Sequence, residues 1–189
     1  MFCVRTKARR TPPNMPSISF QMEKQKAKNW CWAAVAVSVA RYFDDNSQWH
    51  QCRVAQLVLR RAHREGRIKS LIRDSCTKPV PEGCNRPWDL QEALEQVGRP
   101  KGEPKAGYLS FEQVQRKIDA RRPRPVCVRI EWDSGGGHYV VVSGCHIDRK
   151  GVRYVEVEDP KTGTGAWVRY SHFVRHYAGR GGWSHTYLV

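Results

Sequence analysis

Residues 126–159 read VCVRIEWDSGGGHYVVVSGCHIDRKGVRYVEVED. Val126, Val128, Ile130 and Trp132 alternate with Cys127, Arg129 and Glu131, a period of two that predicts a strand. Gly135, Gly136 and Gly137 break it. HYVVVSGCHI at 138–147 predicts a second strand, residues 148–151 a turn, and VRYVEVED at 152–159 a strand running back. Strands joined so closely pair antiparallel. AWVRY at 166–170 and WSHTYLV at 183–189 raise the count to at least five strands, with a short helix between them beginning at Ser171.

Before Arg122 the period is helical. Trp32, Ala33, Ala34, Val35, Ala36, Val37, Val39 and Ala40 predict a helix that starts near Trp30, is apolar on most sides and so is buried, and ends at DDNS 44–47. A second helix is expected from about Gln51 to Arg64, with Val54, Leu57 and Val58 as its inner stripe. A third follows Pro87, with Leu90, Leu94 and Val97 inward and Gly98 as its stop. A fourth starts at Ser110, with Gln113 at capping-box spacing and Phe111, Val114 and Ile118 inward. Residues 17–25 read as a short strand or extended lead-in, and 66–87 as an irregular connection. The expectation is α+β: a two-lobed single domain over residues 18–189, with a helical N-terminal half and an antiparallel β-sheet C-terminal half, preceded by a basic flexible tail at 1–17.

Composition sets the outer limits. The 189 residues are 40% hydrophobic and include 19 aromatic side chains, enough for a core, which excludes wholesale disorder. No run of 18 apolar residues exists, so no membrane span is expected. The N-terminus, MFCVRTKARRTPPNMP, has no apolar run of seven, so no secretory leader is expected in this chain. A cytoplasmic place, or export without a conventional leader through a needle-type apparatus, fits that reading. The seven cysteines make an odd count, and reduced thiols are the expected default.

Three positions carry chemistry. In Asn29-Trp30-Cys31-Trp32-Ala33-Ala34 a Cys stands where an apolar helix begins. There the exposed amide N–H groups and the helix dipole favour a thiolate, the nucleophilic form. A Cys between two Trp also reads as core. His138 follows the three glycines and heads an apolar strand, and Asp159 ends the next strand before Pro160. A hairpin turning at about residues 149–150 sets Asp159 opposite Val140, on the face that carries His138. The two are then diagonal neighbours, roughly 7–8 Å apart in backbone, a gap side chains close. A carboxylate there holds an imidazole in one tautomer and stabilises its cation. Taken singly, His138 and Asp159 also read as turn residues.

Together, QKAKNWCWAA at 25–34, GHYVVVSG at 137–144 and DPKTG at 159–163 occur in one order, and the chain resembles the papain-like cysteine peptidases. It looks closest to the small bacterial group with an NWCWAA nucleophile motif, which includes type III effector proteases of plant-pathogenic bacteria. The likeness extends over residues 20–189, including CNRPWDLQEAL and the closing WSHTYLV. The resemblance implies that Cys31 is the nucleophile, His138 the general base, and Asp159 the group that orients His138, where papain itself has Asn. Gln25, six residues before Cys31, stands at the spacing of the family's oxyanion-stabilising Gln; Gln21 is a weaker candidate. The Cys-to-His separation is 107 residues, against ~130–150 in papain itself, which implies trimmed loops. Asn29 is expected as the helix N-cap, and Trp30 and Trp32 as packing in the interlobe seam. Gly135–Gly137 read either as room for a substrate backbone or as a permissive loop.

The implied activity is hydrolysis of peptide bonds through an acyl-enzyme, with a protein or peptide substrate and no metal or organic cofactor. Deamidation, transglutamination and isopeptide cleavage use the same triad and are the alternatives nearest to it. A different class is raised by the +15 net charge. Arg53, Arg60, Arg61, Arg64, Arg67, Lys69 and Arg73 form one basic stretch; Arg116, Lys117, Arg121, Arg122 and Arg124 form another. Such surfaces suit acidic partners, including an acidic substrate, and bind phosphate backbones non-specifically. No nucleic-acid-binding signature accompanies them, so that role is not the expected one. Nothing in the sequence sets an oligomeric state. Cys52, Cys76 and Cys84 flank the middle connection near His50 and His63. Without a C-x-x-C pair a zinc site is not expected, and Cys76–Cys84 is the example of a disulfide an oxidising location would allow. Cys127 and Cys145 are expected in the core.

Overall fold

The computed structural model describes residues 16–69, 74–100 and 102–189, so most of the expected tail and Arg73 lie outside the described residues. Helix α1 (Cys31–Phe43) buries every residue from Cys31 to Ala40. α2 (Gln51–Arg64) follows, with the His50 side chain accepting from the Arg53 amide. Its buried residues are Gln51, Val54, Ala55, Val58, Leu59 and Ala62, whereas Leu57 is 37% exposed. Leu57 therefore does not belong to the inner stripe. At 100° per residue the buried arc centres between Val58 and Ala62, and Leu57 lies about 130° away. α3 (Leu90–Gln96) is capped by Asp89, whose carboxylate accepts from the Gln91 and Glu92 amides, and Gly98 at φ 70° stops it. β1 (Lys105–Ala106) is too short to leave a period in the sequence. α4 (Phe111–Ile118) carries the complete Ser110–Gln113 capping box.

The second half supplies β2 (Val126–Trp132), β3 (Gly137–Ile147), β4 (Arg153–Asp159), β5 (Thr164–Arg169), α5 (Tyr170–His176), a 3-10 turn at Tyr177–Gly179 and β6 (Gly181–Leu188). The strands form one antiparallel sheet of six in the order β1-β6-β2-β3-β4-β5. Both faces of the sheet are covered. Val126, Val128, Ile130, Val140, Val142, Val155 and Val157 pack with Phe111, Val114 and Phe173 from α4 and α5. Cys127, Tyr139, Val141 and Tyr187 pack on the other face against α1, α2 and α3. Burial on both sides explains why Cys127 is fully buried on the nominally polar side of the alternation, and why burial raises its pKa.

The β3–β4 hairpin has two registers. Near the turn, Ile147 faces Arg153 and Gly144 faces Glu156; beyond a one-residue bulge at Ser143, Val142 faces Val157 and Val141 faces Glu158. The outer register continues to Val140 opposite Asp159, the pairing expected from sequence, but only because the bulge inserts one residue. Continued without the bulge, the inner register would set Asp159 opposite Val141, on the face away from His138. The lead-in runs beside this point. Ser17 bridges to Gly144, the Ile18 amide donates to Ser143 O (2.9 Å), and Ser17 Oγ donates to Glu156.

In the middle connection Cys52 and Cys76 form a disulfide with Cα atoms 4.9 Å apart. This corrects the reduced default and the Cys76–Cys84 pairing: Cys84 is buried in the helical core, its carbonyl under Trp30, whereas Cys52 stands at the start of α2 beside Cys76. His50 Nδ1 lies 3.1 Å from Cys52 Sγ. His50, Cys52 and Cys76 group within metal-ligand reach, but the two sulfurs are committed to each other.

Candidate active site

The segment before α1 is held at each step by side chains from elsewhere. Gln51, fully buried, accepts from the Lys26 amide (2.8 Å) through Oε1 and donates through Nε2 to Glu23 (2.8 Å) and to Lys24 O (2.9 Å). The Gln25 amide donates to Pro160 O (2.7 Å), joining this loop to the one that carries Asp159. Gly163 follows in that second loop at φ 72°, and a Cβ there would lie 2.9 Å from Lys24 Cβ. Asn29 is not the N-cap: Trp30 holds that position, and Asn29 instead donates twice to Asn85, from its backbone N–H to Oδ1 and from Nδ2 to the carbonyl O, both bonds 3.0 Å. The indole N–H groups of Trp30 and Trp32 donate to Cys84 O (2.8 Å) and Arg86 O (3.1 Å), and both rings are fully buried. These contacts fix where the first turn of α1 begins. Cys31 is its first residue, so its N–H has no helical acceptor behind it and faces the cleft end of the helix.

His138 and Asp159 meet across the outer register of the hairpin. His138 Nε2 lies 2.7 Å from Asp159 Oδ1, and the Cys31 side chain is near enough to act on the imidazole as well. Asp159 Oδ1 accepts a second bond from the Lys161 amide (2.8 Å), and Oδ2 accepts from the Tyr177 hydroxyl (2.9 Å). Burial pushes the His138 imidazolium to titrate lower, but the hydrogen bonds and charges of Asp159 and Cys31 outweigh it and hold the pKa up to about 9. Burial likewise pushes Asp159 up, and His138 and the two donors outweigh it, leaving the carboxyl below its ordinary range. Trp132 stacks on His138 (centroids 6.0 Å, 16°) and on Tyr177 (6.4 Å, 13°). Cys31, His138, Asp159 and Gln25 all line one cleft of about 600 Å³.

Gln25 reaches the cleft with its donors engaged: Nε2 donates to Ala27 O (3.0 Å) and Lys28 O (2.6 Å), while Oε1 is buried with no hydrogen-bond partner among the described residues. Gly135 and Gly136 adopt φ 86° and 79° in an exposed turn, and a Cβ on Gly137 would sit 2.7 Å from Ile130 O, so the third glycine serves the β2–β3 pairing.

Residues 14–178 match the family profile described as papain-like cysteine protease AvrRpt2, a span that contains Cys31, His138 and Asp159. The chain belongs to this family. It is a papain-like cysteine peptidase, a thiol hydrolase that acts on protein. No curated protein matches the chain. Among the described residues no helix is long and apolar enough to cross a membrane. Four residues that shape this cleft escaped the sequence reading. Tyr177 lies beyond all three motifs and Trp132 just before GHYVVVSG, and each meets His138 or Asp159 only through folding. Gln51 and Asn85 are polar residues whose burial and clamping no local pattern reveals. Tyr177 had one weak signal, its place just past a short helix next to the sheet's last strand.

Proposed function

We propose that residues 18–189 are a catalytic unit that hydrolyses peptide bonds through a Cys31–His138–Asp159 triad. The observation that carries this reading is the 2.7 Å His138–Asp159 bond, in an open cleft that Cys31 also lines. The Cys31 thiolate attacks the scissile carbonyl carbon, opposite an imidazolium at His138. The tetrahedral intermediate expels the amine as His138 delivers its proton to the leaving nitrogen, and an acyl-thioester remains on Cys31. Neutral His138 then takes a proton from water, whose oxygen attacks the thioester. The acid leaves, the sulfur departs as thiolate, and His138 is again imidazolium. Asp159 keeps the ring in the tautomer and orientation both transfers need. The Cys31 N–H and the Gln25 amide donate to the oxyanion. For Gln25 this requires Nε2 to exchange one of its two loop carbonyls for the oxyanion. The steps need no metal or organic cofactor.

Labelling with a broad epoxide inhibitor, followed by intact mass and peptide mapping, tests the reading. One adduct at Cys31, lost in His138→Ala, is expected. Full peptidase turnover by Cys31→Ala would sink the triad. Product analysis separates the neighbouring chemistries, since new chain termini mark proteolysis and a gain of about one dalton at Gln marks deamidation.

A further inference from the structure

The cations of this chain are unevenly neutralised. Away from the cleft, carboxylates partner some of them: Arg41 pairs with Glu23, Arg61 and Arg67 with Glu92, Arg129 with Glu131, and Arg153 with Glu112. At the cleft no such pair forms. Lys26, Lys28, Lys161 and Arg180 line it and are exposed, and among the described residues none of the four pairs with a carboxylate. Asp159 is the one carboxylate among the residues lining that cleft, and its oxygens are occupied by His138, Lys161 N and Tyr177.

All four cations connect to the imidazole's side of the reacting centre through short chains of contacts. Arg180 lies over the Trp132 ring (4.9 Å), and Trp132 stacks on His138. Lys161 is two residues beyond Asp159 and holds it through its amide. Lys26 and Lys28 flank the loop tied to Pro160 by the Gln25 amide. The imidazole protonates the departing amine, so the half of the substrate that leaves must pass on the imidazole's side. Cys31, Pro87 and Gly137 also border an adjoining hollow of about 310 Å³ walled by Trp32, Trp88 and Tyr139, with Asp89 and Arg129 at opposite charge, and that hollow is assigned to the acyl half.

Resting on the peptidase reading above, we propose that Lys26, Lys28, Lys161 and Arg180 form a carboxylate-binding rim for the leaving side of the substrate. The preferred substrate is a protein segment with Asp or Glu within the first few residues after the scissile bond. Opposite charges across an exposed rim act on encounter and register, so each contributes modestly and is screened by salt.

The test digests a proteome-derived peptide library with the full-length protein and reads residue frequencies on both sides of each cut. Enrichment of Asp and Glu after the cut, and not before it, is expected. For matched peptides, replacing one such Glu by Gln lowers kcat/KM by about 2- to 5-fold at low salt, and less at 0.5 M salt. In the double variant Lys28→Glu, Lys161→Glu the preference at that position moves from Glu to Lys. Cleavage without acidic enrichment, acids enriched only before the cut, or an unchanged preference in the double variant each overturns the proposal while leaving the peptidase reading standing. No cleavage of any peptide overturns both.

Discussion

At the residue scale the site turns on the charge of Asp159. Its hydrogen bond is the largest influence raising the His138 pKa, against the downward push of burial. Asp159→Asn keeps an acceptor but removes the charge. The His138 titration, followed by NMR of the ring, should then move from about 9 to lower pH. The alkaline fall in kcat/KM should move with it, because a neutral imidazole cannot protonate the leaving amine. An unmoved midpoint would show that the charge of Asp159 does not hold the imidazolium. Tyr177 acts one step further out, as a positioning residue. Tyr177→Phe keeps the ring beside Trp132 and Phe173 and removes only the bond to Asp159 Oδ2. A fall in kcat of about 10-fold with KM unchanged is expected for one lost bond to a charged group. A change in KM alone would assign Tyr177 to substrate contact.

At the element scale the sequence showed helices and strands more readily than the loops that make them useful. α2 and α4, and the start of α1, are legible because periodicity and caps are local signals. Leu57 was misplaced because a stripe read from three residues fixes the helix face to no better than one position. Cys31, His138 and Asp159, the proposed triad, stand out in the sequence through their motifs. Tyr177, Trp132 and Asn85 do not, since their roles exist only once distant segments meet. The same holds for Gln51, which looks like an ordinary first residue of a helix and is a fully buried brace for residues 23–26. Gln51→Ala strands the Lys26 amide and Lys24 carbonyl, so a loss of about 1–3 kcal/mol in denaturant unfolding is expected. The rate of Cys31 labelling should fall as well, because the braced loop leads into α1. Unaltered stability would mean that water or a loop shift takes over those bonds.

At the scale of the whole molecule, pH acts through the site and through net charge at once. His138 titrates at about 9 in the fold against an ordinary 6.5, so its contribution to stability is full below about pH 6.5 and fades as pH rises through 9. Asp159 lies below its ordinary value, so its contribution is present above about pH 4 and fades on acidification. The +15 charge works the other way on the alkaline side, because self-repulsion relaxes as pH rises. Comparison with His138→Gln removes that common background: the gap in Tm between wild type and variant should narrow from pH 6.5 to 9. A gap that stays constant would remove His138 from the stability of the fold. The bulge at Ser143 bears on how such a chain tolerates length change. Most one-residue deletions in a surface hairpin trim a loop and spare the rest. Here the count of paired residues between His138 and Asp159 works like an odd–even check. Deleting Ser143 removes the surplus residue itself, so Val142 still faces Val157, Val140 still faces Asp159, and the acid stays on the side of His138 with the strands in a single register. Deleting Val141 instead, with the bulge kept, would set Asp159 opposite Tyr139 and turn the acid's side chain to the far side of the sheet, leaving the cysteine and histidine without their partner.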